Sequence, residues 1–148
     1  MEPVELPDEK LACMKGGGVW VPSPLALDVD KNVLERWQRL LTLYYIRSGA
    51  RTVIPGAHTG EFAGGSLEIY RWWVELVADM VREYGDDDMF LMAAVGGERG
   101  LDEARIAADC GYDVVMVAPT MFAGCSDDEA IEVLRRVAAV IPTFGFEL

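Results

Sequence analysis

Short apolar stretches that read as strands begin near Val19, Val53, Phe90, Val114 and Thr143, about 31 residues apart on average, the length of one strand–helix unit. Few folds accommodate such a rhythm. Strands joined by helical crossovers run parallel, so the chain builds either an open doubly wound sheet or part of a (β/α)8 barrel. A faint internal repeat agrees with this. Ser48-Gly49-Ala50-Arg51-Thr52-Val53 resembles Cys110-Gly111-Tyr112-Asp113-Val114-Val115, an offset of 62 residues, or two units.

The helical patterns carry their own punctuation. After Asp30, read as an N-cap, Leu34, Trp37, Leu41 and Tyr44 fall on one helical face, and Gly49 closes the helix in the left-handed region. Ser66 caps the next helix, with Glu68 in its first turn and Leu67, Tyr70, Val74, Val77 and Val81 on its apolar face. Trp72 and Trp73 on this helix pack against the sheet or a subunit neighbour. Gly85 to Asp88 is a solvated acidic loop. Met89 to Val95 is a continuous apolar run, as expected of a strand covered on both faces. A helix from Leu101 to Cys110 follows. Ser126 and Glu129 have capping-box spacing, with Ala130, Leu134, Val137 and Ile141 as that helix's apolar face.

A chain of 148 residues makes one domain, long enough to bury roughly 70% of its unfolded surface. Its 51% hydrophobic content points to a packed core. The net charge of −12 argues against nucleic acid and against anionic membrane surfaces, both of which need basic patches. No apolar run is long enough for a transmembrane helix, and the acidic start does not resemble a signal peptide. Cys13, Cys110 and Cys125 are scattered, and with one histidine they make neither a disulfide framework nor a zinc knuckle, which suits the cytoplasm. No metal or cofactor is implied.

The chemistry concentrates in Ile54-Pro55-Gly56-Ala57-His58-Thr59-Gly60-Glu61-Phe62, where the second strand breaks into a glycine-punctuated turn. In parallel α/β proteins, functional groups gather where strands end and helices begin. This turn holds the only histidine. Its backbone N–H groups and the Thr59 hydroxyl suit an anionic ligand. Glu61 fits best as a structural acceptor for loop N–H groups, Glu98 and Arg99 as an exposed ion pair, and Cys125 as a thiol with no histidine near it in sequence.

Gly56 to Phe62, followed by Ser66-Leu67-Glu68, resembles the signature of the dihydrodipicolinate synthase/N-acetylneuraminate lyase family. There a Gly-Thr-Thr-Gly-Glu or Gly-Ser-Thr-Gly-Glu loop follows the second barrel strand and a Ser-Leu-x-Glu helix start follows the loop. Ser23-Pro24-Leu25 is similar to the family's Thr-Pro-Phe after strand one. Val95-Gly96-Gly97 is similar to Val-Gly-Gly after strand three, and Gly111-Tyr112-Asp113 through Ala118-Pro119 to Gly-Ala-Asp through Pro-Pro at strand four. The matches run in order from Gly18 onward. The closest likeness is to a divergent branch with His-Thr in the loop.

The resemblance implies about four and a half units from the N-terminal half of a (β/α)8 barrel, with residues 1–17 as an extension and 18–148 running from strand one to the start of strand five. It also implies a class I aldolase or lyase, in which a lysine on strand six forms a Schiff base with pyruvate or a related 2-oxo acid and an aldehyde is the partner. Ala57, Thr59 and Gly60 would form the carboxylate pocket. His58, Phe122 and Glu147 fall on the three positions of a proton relay, with Phe146 reached instead of Glu147 by a one-residue slip, and all three are substituted. Dihydrodipicolinate synthesis itself is therefore not expected. The family is usually tetrameric. The only lysines here, Lys10, Lys15 and Lys31, all lie in or near the first unit, so this chain lacks the family's nucleophile.

Two other readings arise from the residues. One is a small open-sheet module that binds phosphate or carboxylate at Gly56–Gly65. The other is an inactive truncated product, whose strand edges would promote association.

Overall fold

The computed structural model describes residues 2–58 and 65–146. Five strands alternate with helices: α1 (Asp8–Lys15), β1 (Val19–Pro22), α2 (Glu35–Arg47), β2 (Ala50–Ile54), α3 (Leu67–Tyr84), β3 (Met92–Val95), α4 (Gly100–Asp109), β4 (Val114–Val117), α5 (Asp127–Ala138) and β5 (Thr143–Gly145). All described strand pairings are parallel. β1 lies beside β2 with Pro22 opposite Ile54, and β3, β4 and β5 pair in sequence order. β2 and β3 meet through two bonds, Phe90 N to Arg51 O at 3.1 Å and Ala94 N to Pro55 O at 2.9 Å.

This order separates the two candidate architectures. A doubly wound sheet reverses its strand order and places helices on both faces. Here neighbours in sequence are neighbours in space, and the helical crossovers cover one face only. Val53, Ala93, Val95, Val115 and Val117 pack outward with Trp73, Val77, Ala104, Ala107 and Val137. The alternate residues Ile54, Met92, Ala94, Val114 and Met116 form a second cluster with Phe90, Trp20 and Phe144. That division follows from the period-two alternation of strand side chains. It is the arrangement of half a (β/α) barrel, with its interior filled by side chains.

The N-terminal extension packs against the rest of the fold. Leu6, Cys13 and Met14 pack on the interior cluster. Lys10 Nζ donates to Met89 O at 3.4 Å and lies 3.8 Å from Asp113, so α1 covers the amino ends of β3 and β4. Val4 N donates to Ala138 O at 2.7 Å at the end of α5.

The local punctuation holds in several places. Gly49 and Gly56 are left-handed, at φ 85° and 80°. Ser66 Oγ accepts from Ile69 N at 3.1 Å, and Ser126 with Glu129 forms the capping box. Trp73 is fully buried, and Trp72 packs partly against the same outer cluster.

α2 departs from expectation. It starts at Glu35, and Asp30 is not its cap. Asp28 instead organises the preceding turn, its carboxylate accepting from Asp30 N at 2.9 Å and Asn32 N at 2.8 Å. The buried face is Gln38, Thr42 and Ile46, while Trp37 is 61% and Tyr44 64% exposed. Polar groups win that face because each finds a partner. Ala26 N donates to Gln38 Oε1 at 2.8 Å, Gln38 Nε2 to Ser23 Oγ at 3.3 Å, and Thr42 Oγ1 to Gln38 O at 2.8 Å. On α5 the expected apolar face is buried only at Val137, with Ile141 beyond the helix, and Leu134 is 39% exposed.

Candidate active site

The carboxyl ends of the strands converge on a cavity of about 360 Å³. Gly56, Ala57 and His58 after β2 line it, as do Gly96 to Arg99 after β3, Ala118 and Thr120 after β4, and Phe146 after β5.

The β2 turn is held tightly. Tyr70, fully buried on α3, donates its hydroxyl to Ala94 O at 2.9 Å. A Cβ on Gly56 would stand 2.6 Å from that carbonyl and 2.7 Å from the Tyr70 ring, so both the space and the positive φ require glycine. Ala57, 3% exposed, packs into the interior cluster, and the next residue, His58, stands exposed on the cavity wall.

The other expected site residues are placed unevenly. Thr59, Gly60, Glu61 and Glu147 lie outside the described residues. Phe122 ends a short 3-10 turn, Pro119–Phe122, and packs on the outer, helix-covered cluster. Phe146, the one-residue alternative to Glu147, lines the cavity. Glu98 and Arg99 both line it too, and neither makes an ion pair with a described residue, which corrects the expected surface pair. Cys125 is exposed.

Sequence reasoning missed Glu103. It sits in the first turns of α4, where an acidic residue ordinarily serves the helix dipole in water. Here it is only 5% exposed and lines the cavity, with Oε2 accepting from Gly96 N at 3.0 Å. Burial pushes its carboxyl above the ordinary range, while the Gly96 bond and the Arg99 charge pull the other way. A Gly-Gly turn followed closely by a helix with an acid in its first turn is the only trace of this in the sequence.

None of the lysines lines the cavity. Lys10 is tied to the amino ends of β3 and β4, and Lys15 ends α1. Lys31 belongs to the turn before α2. Among the described residues no group of three or more His, Cys, Asp and Glu is placed to hold a metal ion, and no helix is long and apolar enough to cross a membrane.

No protein-family model matches the chain, and no curated protein matches it. Solved structures do. N-acetylneuraminate lyase from Mycoplasma synoviae superposes with a TM-score of 0.75 at 19% identity, over 88% of this chain and 46% of that one. Dihydrodipicolinate synthase from Agrobacterium tumefaciens gives 0.77 at 20% identity, over 90% and 45%. A prophage protein of the dihydrodipicolinic acid synthase family from Escherichia coli K12, solved with pyruvate, gives 0.77 at 17% identity, over 88% and 44%. The fold is that of the N-terminal half of these barrels, and the chain spans less than half the length of each.

Proposed function

We propose that the chain is the N-terminal part of a divergent dihydrodipicolinate synthase/N-acetylneuraminate lyase-type enzyme, a class I aldolase or lyase acting on pyruvate or a related 2-oxo acid and an aldehyde. The observation that carries this reading is positional. The loops that hold the family-like motifs after β2, β3 and β4 wall one cavity at the catalytic end of the fold. Three free thiols fit a reducing cytoplasm.

In this reading Ala57, Thr59 and Gly60 bind the 2-oxo acid's carboxylate through the turn's N–H groups and the threonine hydroxyl. His58, exposed on the wall, exchanges protons with the substrate, which imidazole does well near neutral pH. With phenylalanine at 122 and glutamate at 147, the family's hydroxyl relay is absent, and His58 takes over its work. The Schiff base needs a desolvated lysine, and that lysine comes from strand six of the completed barrel, outside residues 1–148. As in the family, where tetramers are usual, the completed enzyme is a homo-oligomer.

Borohydride trapping with labelled pyruvate tests the reading. The 148-residue chain alone should take no label. The natural gene product should be labelled on a lysine beyond Leu148. Label on Lys10, Lys15 or Lys31 would overturn the assignment.

A further inference from the structure

Among the described buried polar and charged residues, Ser23, Gln38, Thr42, Thr52 and Glu103, only Glu103 is ionisable. Burying a carboxyl is costly, and an amide N–H can be satisfied by a neutral acceptor, so its placement on the cavity wall calls for an explanation. Among the described residues its one hydrogen-bond partner is the backbone N–H of Gly96, the first residue after β3. From that point the chain runs through left-handed Gly97 (φ 62°) into Glu98 and Arg99, and all four residues line the cavity. Among the described residues, Arg99, Asp102 and Tyr70 are the charged or titratable groups that sense the carboxyl, the first favouring its ionised form and Asp102 opposing it.

The wall cannot move freely past its neighbours. A Cβ on Gly96 would stand 2.8 Å from Thr120 Oγ1 and 3.1 Å from Ala118 Cβ, so Gly96 lies close against the β4 loop. The bond to Glu103 reaches Gly96 from the helix side.

We propose that Glu103 is a positioning residue for the ligand cavity: by accepting the Gly96 amide it fixes the Gly96–Arg99 wall in the geometry that receives a small 2-oxo acid. The class of ligand rests on the function proposed above; the positioning role rests on Glu103 and Gly96 alone. Glutamine can accept the same bond without charge, whereas alanine leaves the Gly96 N–H unpaired.

The test compares the 148-residue chain with Glu103→Gln and Glu103→Ala, reading the amide resonances of Gly96 to Arg99 and titrating with pyruvate. In Glu103→Gln the Gly96 amide keeps its hydrogen-bonded shift, and pyruvate affinity stays within about threefold of wild type. In Glu103→Ala that shift is lost and affinity falls about tenfold or more, the scale of one lost hydrogen bond. Rescue by glutamine separates positioning from a need for charge, and the Gly96 amide shift ties the loss in alanine to the hydrogen bond. Wild-type amide shifts and affinity in Glu103→Ala overturn the proposal, and so does a glutamine variant as impaired as alanine. If no form binds pyruvate, the 2-oxo acid reading fails for this chain, and the Gly96 to Arg99 amides still decide the positioning role. Should Glu103→Ala not fold, an unpaired Gly96 amide in the folded glutamine variant overturns it.

Discussion

Tyr70 and Ala94 are joined by a buried hydrogen bond of 2.9 Å between side-chain hydroxyl and strand carbonyl, tying α3 to the interior strand β3 just below the cavity. Burial holds the phenol well above its ordinary pKa, so it stays a neutral donor. Gly56 passes through the gap beside this pair, so the shape of the His58 turn depends on a bond made by neither strand nor turn alone.

Removing the Tyr70 hydroxyl should therefore loosen the turn as well as the core. Tyr70→Phe leaves the Ala94 carbonyl short of a buried partner, at about 1–3 kcal/mol in urea unfolding. Gly56→Ala adds a positive φ to a clash with backbone and should cost about 1–3 kcal/mol. Wild-type stability in either variant contradicts the packing described.

Glu103 sets a pH dependence whose sign is opposite to that of most carboxyls. Its folded pKa is raised, so the folded state binds the proton more tightly than the unfolded chain does. Its contribution is full below the ordinary carboxylate pKa and is lost as pH rises through the folded value. The exposed Asp28 and Glu129, with lowered values, run the other way. The difference between variant and wild type isolates the term. Glu103→Gln should gain stability relative to wild type as pH rises from the acid range towards neutral. A difference that is flat or falls with pH would mean the carboxyl is not desolvated.

His58 is exposed and should matter to chemistry, not to folding. His58→Asn is expected to leave the melting temperature unchanged. In the complete enzyme it should lower kcat by about 10²–10⁴, the usual share of a general acid or base. Unchanged turnover would mean that His58 is a rim residue with no part in the chemistry.

From α2 to α5, the large exposed apolar side chains gather at the two ends of the helical layer, with Trp37, Leu40 and Tyr44 on α2 and Ile131 and Leu134 on α5; Tyr84 at the end of α3 is the exception and lies beneath Arg47. These are the helices that lack a neighbour on one side in half a barrel. The chain alone should bind a hydrophobic dye and associate with rising concentration, and Trp37→Gln with Tyr44→Gln should reduce both. A dye-free monomer would indicate a self-sufficient module.

Much of this was legible in the residues. The strand–helix rhythm, the caps at Ser66 and Ser126 and the left-handed glycines at 49 and 56 depend on local rules, and the structure follows them. α2 was misread because periodicity counts Trp37 and Tyr44 as apolar, while burial there was decided by distant partners for Gln38 and Thr42. Glu103 was missed for the same reason: what makes it unusual is the Gly96 amide it reaches, which only the folded chain brings near. The choice of barrel over open sheet rested in the sequence on the family-like motifs alone, and the strand order and helical crossovers confined to one face bear it out.

The most direct measurement is the intact mass of the natural gene product before and after borohydride reduction with pyruvate. The expected result is a protein larger than 16.3 kDa that gains one reduced pyruvate on a lysine beyond residue 148. A product of 16.3 kDa, or a larger one that traps no pyruvate, would contradict Schiff-base chemistry for this protein.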